Sequence, residues 1–80
     1  MKYIVFRNRV TEDEFPLIFS EHLEHFLIDS AMRDTHHYLS TISAGFCTPA
    51  GNAYGKSVTL GLHSRDEDSD LIKKTMEFRT

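Results

Sequence analysis

Residues 55–57 read Gly-Lys-Ser, the triplet that holds phosphates in nucleotide-binding loops. Such a loop needs four residues between its two glycines, follows a buried strand and opens a helix. Here only three residues separate Gly51 from Gly55, Ala50 stands where the first glycine belongs, and residues 58–60 continue in a β-like alternation. We therefore interpret the segment as a hairpin turn and not as the phosphate loop of a nucleotide hydrolase.

Three potential metal ligands share one face of the first predicted helix. His22, His25 and Asp29 follow a spacing of i, i+3 and i+7, which a metal ion would need. Pairing of Glu21 with His25 and of Asp29 with Arg33 at i, i+4 explains the same face as a solvated, charged surface. We therefore expect no bound metal and no cofactor. The adjacent His36 and His37 are assigned to a loop.

The acidic run near the end of the chain resembles a calcium-binding loop but lacks its essential glycine. Asp66, Asp68, Asp70 and Glu77 match positions of the loop that supply ligands, whereas Leu71 occupies the position of the sharp turn. A helix cap explains the acidic residues without an ion.

Two side chains could act as nucleophiles, but neither has the required surroundings. Cys47 follows an apolar residue and resembles a small buried hydrophobe, while Ser57 lacks the strand-turn-helix elbow of a nucleophilic serine. A small sheet with two helices also leaves little room for an enclosed substrate pocket. We predict no catalytic residues and no enzymatic activity.

Length and charge narrow the class of protein further. The 80 residues predict a single domain over residues 1–80 with a small core, which oligomerisation would stabilise, so we expect a homo-oligomer. A single cysteine indicates a reducing cytosol. The formal charge of -3 gives no electrostatic footprint for nucleic acid, and no apolar run is long enough for a signal peptide or a membrane span.

The first half of the chain predicts a hairpin followed by a helix. Residues 2–7 are rich in β-branched and aromatic side chains, and residues 17–19 form a short strand after Pro16. Ser20 is a suitable N-cap for a helix over residues 21–33. The apolar side chains at helical spacing, which this helix would bury, are Leu23, Phe26, Leu27 and Ala31.

The second half predicts two more strands and a second helix. Residues 39–47 form a strand in which Gly45 marks a bulge or a close approach of another backbone. Residues 57–63 alternate in polarity, which predicts a fourth strand. A capping box of Ser64 and Glu67 begins a helix over residues 65–77. The predicted inward side chains of this half are Ile42, Phe46, Val58, Leu60, Leu62, Leu71, Ile72 and Met76.

The predicted order β-β-α-β-β-α corresponds to an α+β fold. Its simplest arrangement is a four-stranded, largely antiparallel sheet with both helices on one face.

Three segments carry a resemblance to a known group of proteins. Residues 43–46 (Ser-Ala-Gly-Phe), 54–57 (Tyr-Gly-Lys-Ser) and 60–65 (Leu-Gly-Leu-His-Ser-Arg) form a pattern that continues into an acidic run. By this pattern the chain resembles small proteins of unknown function encoded by bacteriophages and prophages. Lys56 departs from it, because an acidic residue is more frequent at that position. The shared features are a bulge, a turn and a helix cap, so the resemblance implies origin more than activity.

These observations predict a non-enzymatic binding protein of phage type that acts on a host or phage protein. We expect an inhibitor of a bacterial defence or regulatory system. The alternative is an oligomer that sequesters a small nucleotide-like ligand at its subunit interfaces. The residues that would bind this ligand are Tyr54, Gly55, Lys56, Ser57 and Arg65. A metal-dependent hydrolase, the third interpretation, depends on the histidines alone.

Overall fold

The computed structural model describes residues 1–77, which form six strands and two helices. No helix within this range is long and apolar enough to cross a membrane. In chain order the elements are β1 (Lys2–Asn8), β2 (Glu14–Phe19), α1 (His25–Thr35), β3 (Leu39–Cys47), β4 (Ala53–Tyr54), β5 (Lys56–Ser57), β6 (Leu62–His63) and α2 (Asp68–Glu77).

The main sheet has four antiparallel strands in the order β2-β1-β3-β4. β1 lies inside the sheet because its residues 3–6 are apolar on both faces and fully buried. The predicted hairpin of β1 and β2 is confirmed, with Tyr3 opposite Ile18 and Phe6 opposite Phe15. Pro16 lies within β2, where it is tolerated because β2 is an edge strand of the sheet.

The two helices cover opposite faces of this sheet. On one face the core consists of Tyr3, Val5, Cys47 and Ile72, with Leu71 and Met76 of α2 packed against it. On the other face it consists of Ile4, Phe6, Leu39 and Ala44, with Ile28 and Met32 of α1 packed against it. The α+β fold with a four-stranded antiparallel sheet is therefore confirmed. The placement of both helices on one face is wrong, because each face of β1 is apolar and needs its own cover.

The segment predicted as the fourth strand forms a separate small hairpin. β5 pairs with β6, and residues 58–61 form the turn between them. Val58, predicted to be buried, is 80% exposed at this turn. The fourth strand of the main sheet is β4, which ends at Gly55 because this glycine adopts a left-handed conformation (φ +75°).

Gly45 has the close backbone neighbour that its position in the sequence predicted. A Cβ atom at this residue would lie 2.7 Å from the carbonyl oxygen of Tyr54, a separation that real Cβ atoms do not adopt. Glycine at this position allows the end of β4 to pass across β3.

Both helices begin later than predicted. The side chain of Ser20 accepts a hydrogen bond from the His22 amide (3.2 Å), and its carbonyl accepts one from Leu23, so it closes a turn before α1. Ser64 donates to the Gly55 carbonyl (3.0 Å) and does not cap α2. Asp68 accepts the Arg65 amide (2.9 Å), which is the return bond of a capping box shifted by one residue.

Candidate functional site

The helix α1 and the residues before it have an inverted polarity. His25 and Asp29 are each only 4% exposed, whereas Leu23, Phe26 and Leu27 are 43%, 44% and 51% exposed. The prediction that the three apolar side chains form core contacts is therefore wrong. The prediction of a solvated face with His25 and Asp29 is wrong for the same reason. We call Leu23, Phe26 and Leu27 the apolar strip.

Burial of His25 is stabilised by a hydrogen bond and by two aromatic neighbours. Its Nε2 lies 2.9 Å from the Gly45 carbonyl oxygen, and because a carbonyl can only accept, Nε2 carries the proton. The ring meets Phe19 and Phe46 edge-on, with centroids 5.6 and 5.8 Å away. Satisfying the polar atom in this way removes most of the cost of burying an imidazole.

Asp29 is held by polar partners on two elements. It accepts a hydrogen bond from the Thr41 hydroxyl on β3 and forms an ion pair with Arg33 (Nε to Oδ2, 3.3 Å). The predicted pair of Asp29 with Arg33 is thus confirmed, whereas the Nε2 of His25 bonds to β3 and not to Glu21. Within residues 1–77, no group of three or more His, Cys, Asp or Glu side chains is placed to hold a metal ion.

A cleft of about 430 Å³ opens beside the first residues of α1. It lies between the N-terminal end of this helix, β3 and the β5–β6 turn. Its polar lining residues are Lys2, Glu24, His25, Lys56 and Thr59, and its apolar wall includes Phe46 and Val58. The cleft therefore combines two ammonium groups, one carboxylate, one imidazole and one hydroxyl with an apolar surface.

The two lysines that line this cleft differ in their hydrogen bonding. Lys2 donates from Nζ to the Leu23 carbonyl oxygen (2.9 Å), which fixes its ammonium group next to α1. Lys56 is exposed, and within residues 1–77 it forms no ion pair and no side-chain hydrogen bond. Lys56 is therefore free to contact a bound molecule.

The residues predicted for a nucleotide-like ligand do not all face this cleft. Gly55 and Lys56 line it, whereas the exposed ring of Tyr54 stacks on Phe46 with centroids 5.8 Å apart. Ser57 is 2% exposed, and its hydroxyl accepts the Leu60 amide (3.3 Å). The hydroxyl thus supports the β5–β6 turn.

Arg65, the fifth predicted ligand residue, belongs to a network on the other side of the sheet. Its guanidinium group donates to Glu14 (2.7 Å) and to Asp68 (2.9 Å), and Tyr3 donates from its hydroxyl to Asp68 (2.6 Å). Arg7 donates to the second oxygen of Glu14 (2.8 Å). These bonds join α2 to β1 and β2, so Arg65 has a structural role.

The network shifts the pKa values of three of its members, Tyr3, Glu14 and Arg65, and that of Arg65 is raised, against the effect of burial, by its hydrogen bonds to Glu14 and Asp68. Burial, and then the hydrogen bond to Asp68, raise the pKa of Tyr3 well above its usual value. Hydrogen bonds from Arg65 and Arg7 lower the pKa of Glu14. Sequence reasoning missed this network, although the i, i+3 spacing of Arg65 and Asp68 was visible.

The two potential nucleophiles lack a catalytic environment. Cys47 is 1% exposed, and burial raises the pKa of its thiol, so the reactive thiolate is disfavoured. The neighbours of the Ser57 hydroxyl are Thr59 and the Leu60 amide. Within residues 1–77, no hydrogen bond joins the side chain of either residue to a base that would activate a nucleophile.

The sequence matches no protein-family model, and no curated protein or solved structure shows significant similarity to the chain. The molecule has two surfaces that could bind a partner or ligand, the apolar strip and the cleft.

Proposed function

We propose that this protein is a non-enzymatic binding protein that recognises another protein through the apolar strip of Leu23, Phe26 and Leu27. Its target is a host or phage protein, and binding inhibits a bacterial defence or regulatory system, as the phage-like sequence pattern suggests. The observation that carries the proposal is the inverted polarity of α1 and the residues before it, where an imidazole and a carboxylate are buried and three large apolar side chains are exposed.

The exposure of the apolar strip lowers the stability that the isolated chain could reach. Full burial of a Leu or Phe side chain contributes about 1.5–3 kcal/mol, and the three strip residues gain only part of this stabilisation. Apolar and aromatic side chains clustered on a protein surface commonly mark an interface, where a few of them supply most of the binding energy. A partner that covers the strip would recover the burial that the fold leaves unused.

The charges next to the strip indicate what kind of partner fits. Glu21 and Glu24 precede α1, are exposed, and form no ion pair within residues 1–77. A helix that presents apolar anchors with acidic neighbours suits an apolar groove with a basic rim. We therefore propose that the partner is a protein that carries such a groove.

The test compares immobilised wild-type protein with Phe26→Ser and Leu27→Ser in retaining proteins from a bacterial lysate. Val10→Ser is the matched control, because Val10 is 81% exposed and lies in the β1–β2 loop. Any retained protein is then purified and titrated against all four forms. We expect one partner whose affinity falls at least about tenfold in the two strip variants and is unchanged in the control.

Two results would overturn the proposal. One is a partner that binds the strip variants as tightly as the wild type. The other is a wild-type dimer, measured by light scattering, that Phe26→Ser converts to a monomer, since the strip would then be covered by a second copy of this chain.

A further inference from the structure

The cleft beside α1 offers several groups that favour negative charge. Lys2 and Lys56 line it, and it lies at the first residues of an 11-residue helix, whose N-terminus carries a partial positive charge. The N-cap residue Glu24 makes no side-chain hydrogen bond to the helix. The first amides of α1 thus lack the side-chain acceptor that usually satisfies them.

The floor of the cleft is a polar side chain with one free atom. His25 is 4% exposed and lines the cleft, and its Nε2 is bonded to Gly45. Its Nδ1 has no hydrogen-bond partner within residues 1–77. Among the side-chain nitrogen and oxygen atoms of residues 1–77, only the Ser43 hydroxyl is buried without a partner, so Nδ1 of His25 keeps access to water and can accept a hydrogen bond from a donor group on a bound molecule.

We propose that this cleft binds a small organic anion, a phosphate ester or a carboxylate attached to an apolar body. The anionic group lies between the ammonium groups of Lys2 and Lys56 and near the Thr59 hydroxyl, and the apolar body lies against Phe46 and Val58. The volume of about 430 Å³ is within the range of pockets for small ligands.

This site differs from the one expected from the sequence. It is formed within one chain and does not use Arg65, whose guanidinium group is paired with Glu14 and Asp68. The cleft adjoins the proposed protein interface, because Glu24 lines the cleft and also lies beside the apolar strip, but Lys56 and Thr59 are not part of the strip.

The carboxylate of Glu24 makes binding in the cleft depend on the sign of the ligand charge. Its carboxylate lines the cleft but forms no ion pair with either lysine within 4.0 Å. It therefore repels an anion that the lysines attract. Removing the charge of Glu24 and removing that of Lys56 must have opposite effects on anion binding.

The experiment titrates the ¹⁵N-labelled protein with inorganic phosphate, adenosine monophosphate and benzoate and follows the amide resonances. We expect millimolar or tighter binding with shifts at residues 24–26 and 55–59. Lys56→Ala should weaken binding about fivefold and Glu24→Gln should tighten it about twofold, since each removes one charge close to the ligand. Lys74→Ala, on α2 at the opposite face of the sheet, should change nothing.

Comparison of the three probes identifies the chemical class of the bound anion. Tighter binding of the nucleotide than of inorganic phosphate indicates a phosphate ester with an apolar body, and binding of benzoate alone indicates a carboxylate. The proposal is overturned if no probe shifts these resonances, if Lys56→Ala and Lys74→Ala weaken binding equally, or if Glu24→Gln weakens it.

Discussion

α2 covers its face of the sheet with Ile72, which is fully buried, whereas α1 covers the other face partly with His25 and Asp29. Both helices are of similar length, 11 and 10 residues. α1 packs mainly on the central strands β1 and β3, whereas α2 lies mainly against the edge strands β2 and β4.

Both helices bury a hydrogen-bonded carboxylate, Asp68 in α2 and Asp29 in α1, and both pack apolar side chains on the sheet. They differ in their remaining apolar side chains, because α1 leaves Phe26 and Leu27 exposed. This difference is the basis on which we propose that α1 takes part in recognition, whereas the buried side chains of α2 stabilise the fold.

The largest effect should follow from a change on the α2 side. Ile72→Ala removes a fully buried side chain from a small core, and we expect a loss of about 2–5 kcal/mol in the free energy of unfolding. This is a large share of the stability of an 80-residue domain. Urea denaturation monitored by circular dichroism measures it. A midpoint equal to that of the wild type would mean that α2 does not contribute as the comparison requires.

The strands that are dense in apolar residues could be predicted from sequence. β3 has the predicted bounds, 39–47, and β1 extends one residue beyond its predicted end. Their β-branched and aromatic residues favour strands over helices. β1 carries apolar side chains on both of its faces, so each face needs a covering helix. The prediction of both helices on one face did not take this into account.

The orientation of α1 could not be predicted in the same way. Helical periodicity produces two stripes, one with Leu23, Phe26 and Leu27 and one with His25 and Asp29, and hydrophobicity favours the first. The second is buried because its partners, the Gly45 carbonyl and the Thr41 hydroxyl, come from β3. Such long-range partners are not visible in the local pattern.

The candidate site was predictable only in part. Lys56 was expected at an exposed turn. It is exposed and lines the cleft, but it is the first residue of β5 and not part of a turn. Arg65 was placed with it because they are close in sequence, but its partner Glu14 lies 51 residues away and holds it on the other face.

A second prediction tests the buried polar face of α1. His25→Ala removes the hydrogen bond to Gly45 and two aromatic contacts, so we expect a loss of about 1–3 kcal/mol in unfolding free energy. His22→Ala is the matched control, since His22 is exposed and its removal should change stability by less than about 0.5 kcal/mol. Equal losses in both variants would contradict the structural role of His25.

The same pair of variants addresses the metal interpretation. A chelator should leave the melting temperature of the wild type unchanged at neutral pH. A drop of several degrees that zinc restores, and that is absent when both histidines are replaced, would show that His22 and His25 bind a metal ion.

A third prediction concerns pH and the network on the α2 side. Because burial and the bond to Asp68 raise the pKa of Tyr3 above its unfolded value of about 10, the neutral phenol stabilises the folded state below this pH. The stabilisation is fully present below about pH 10 and is lost as the pH rises above it. Melting temperatures of the wild type should therefore fall more steeply between about pH 10 and pH 12 than those of Tyr3→Phe.

Lysines also lose their charge in this pH range, but they do so in both proteins. The difference between wild type and Tyr3→Phe therefore reports the contribution of the Tyr3 phenol alone. Parallel curves would mean that Tyr3 does not couple its proton to folding. Tyr3→Phe should itself be less stable at neutral pH, because the buried Asp68 carboxylate loses one of its donors.

The smallest effect on stability should come from the apolar strip itself. Phe26 is 44% exposed, so Phe26→Ala should lower the free energy of unfolding by less than about 1 kcal/mol, although Phe is the larger side chain when compared with Ile72. Urea denaturation of both variants under the same conditions makes the comparison direct. If Phe26→Ala were as destabilising as Ile72→Ala, the strip would belong to the core and the recognition role of α1 would be lost. If instead Phe26→Ala keeps its stability and loses the partner, the polarity of α1 is explained by binding and not by folding.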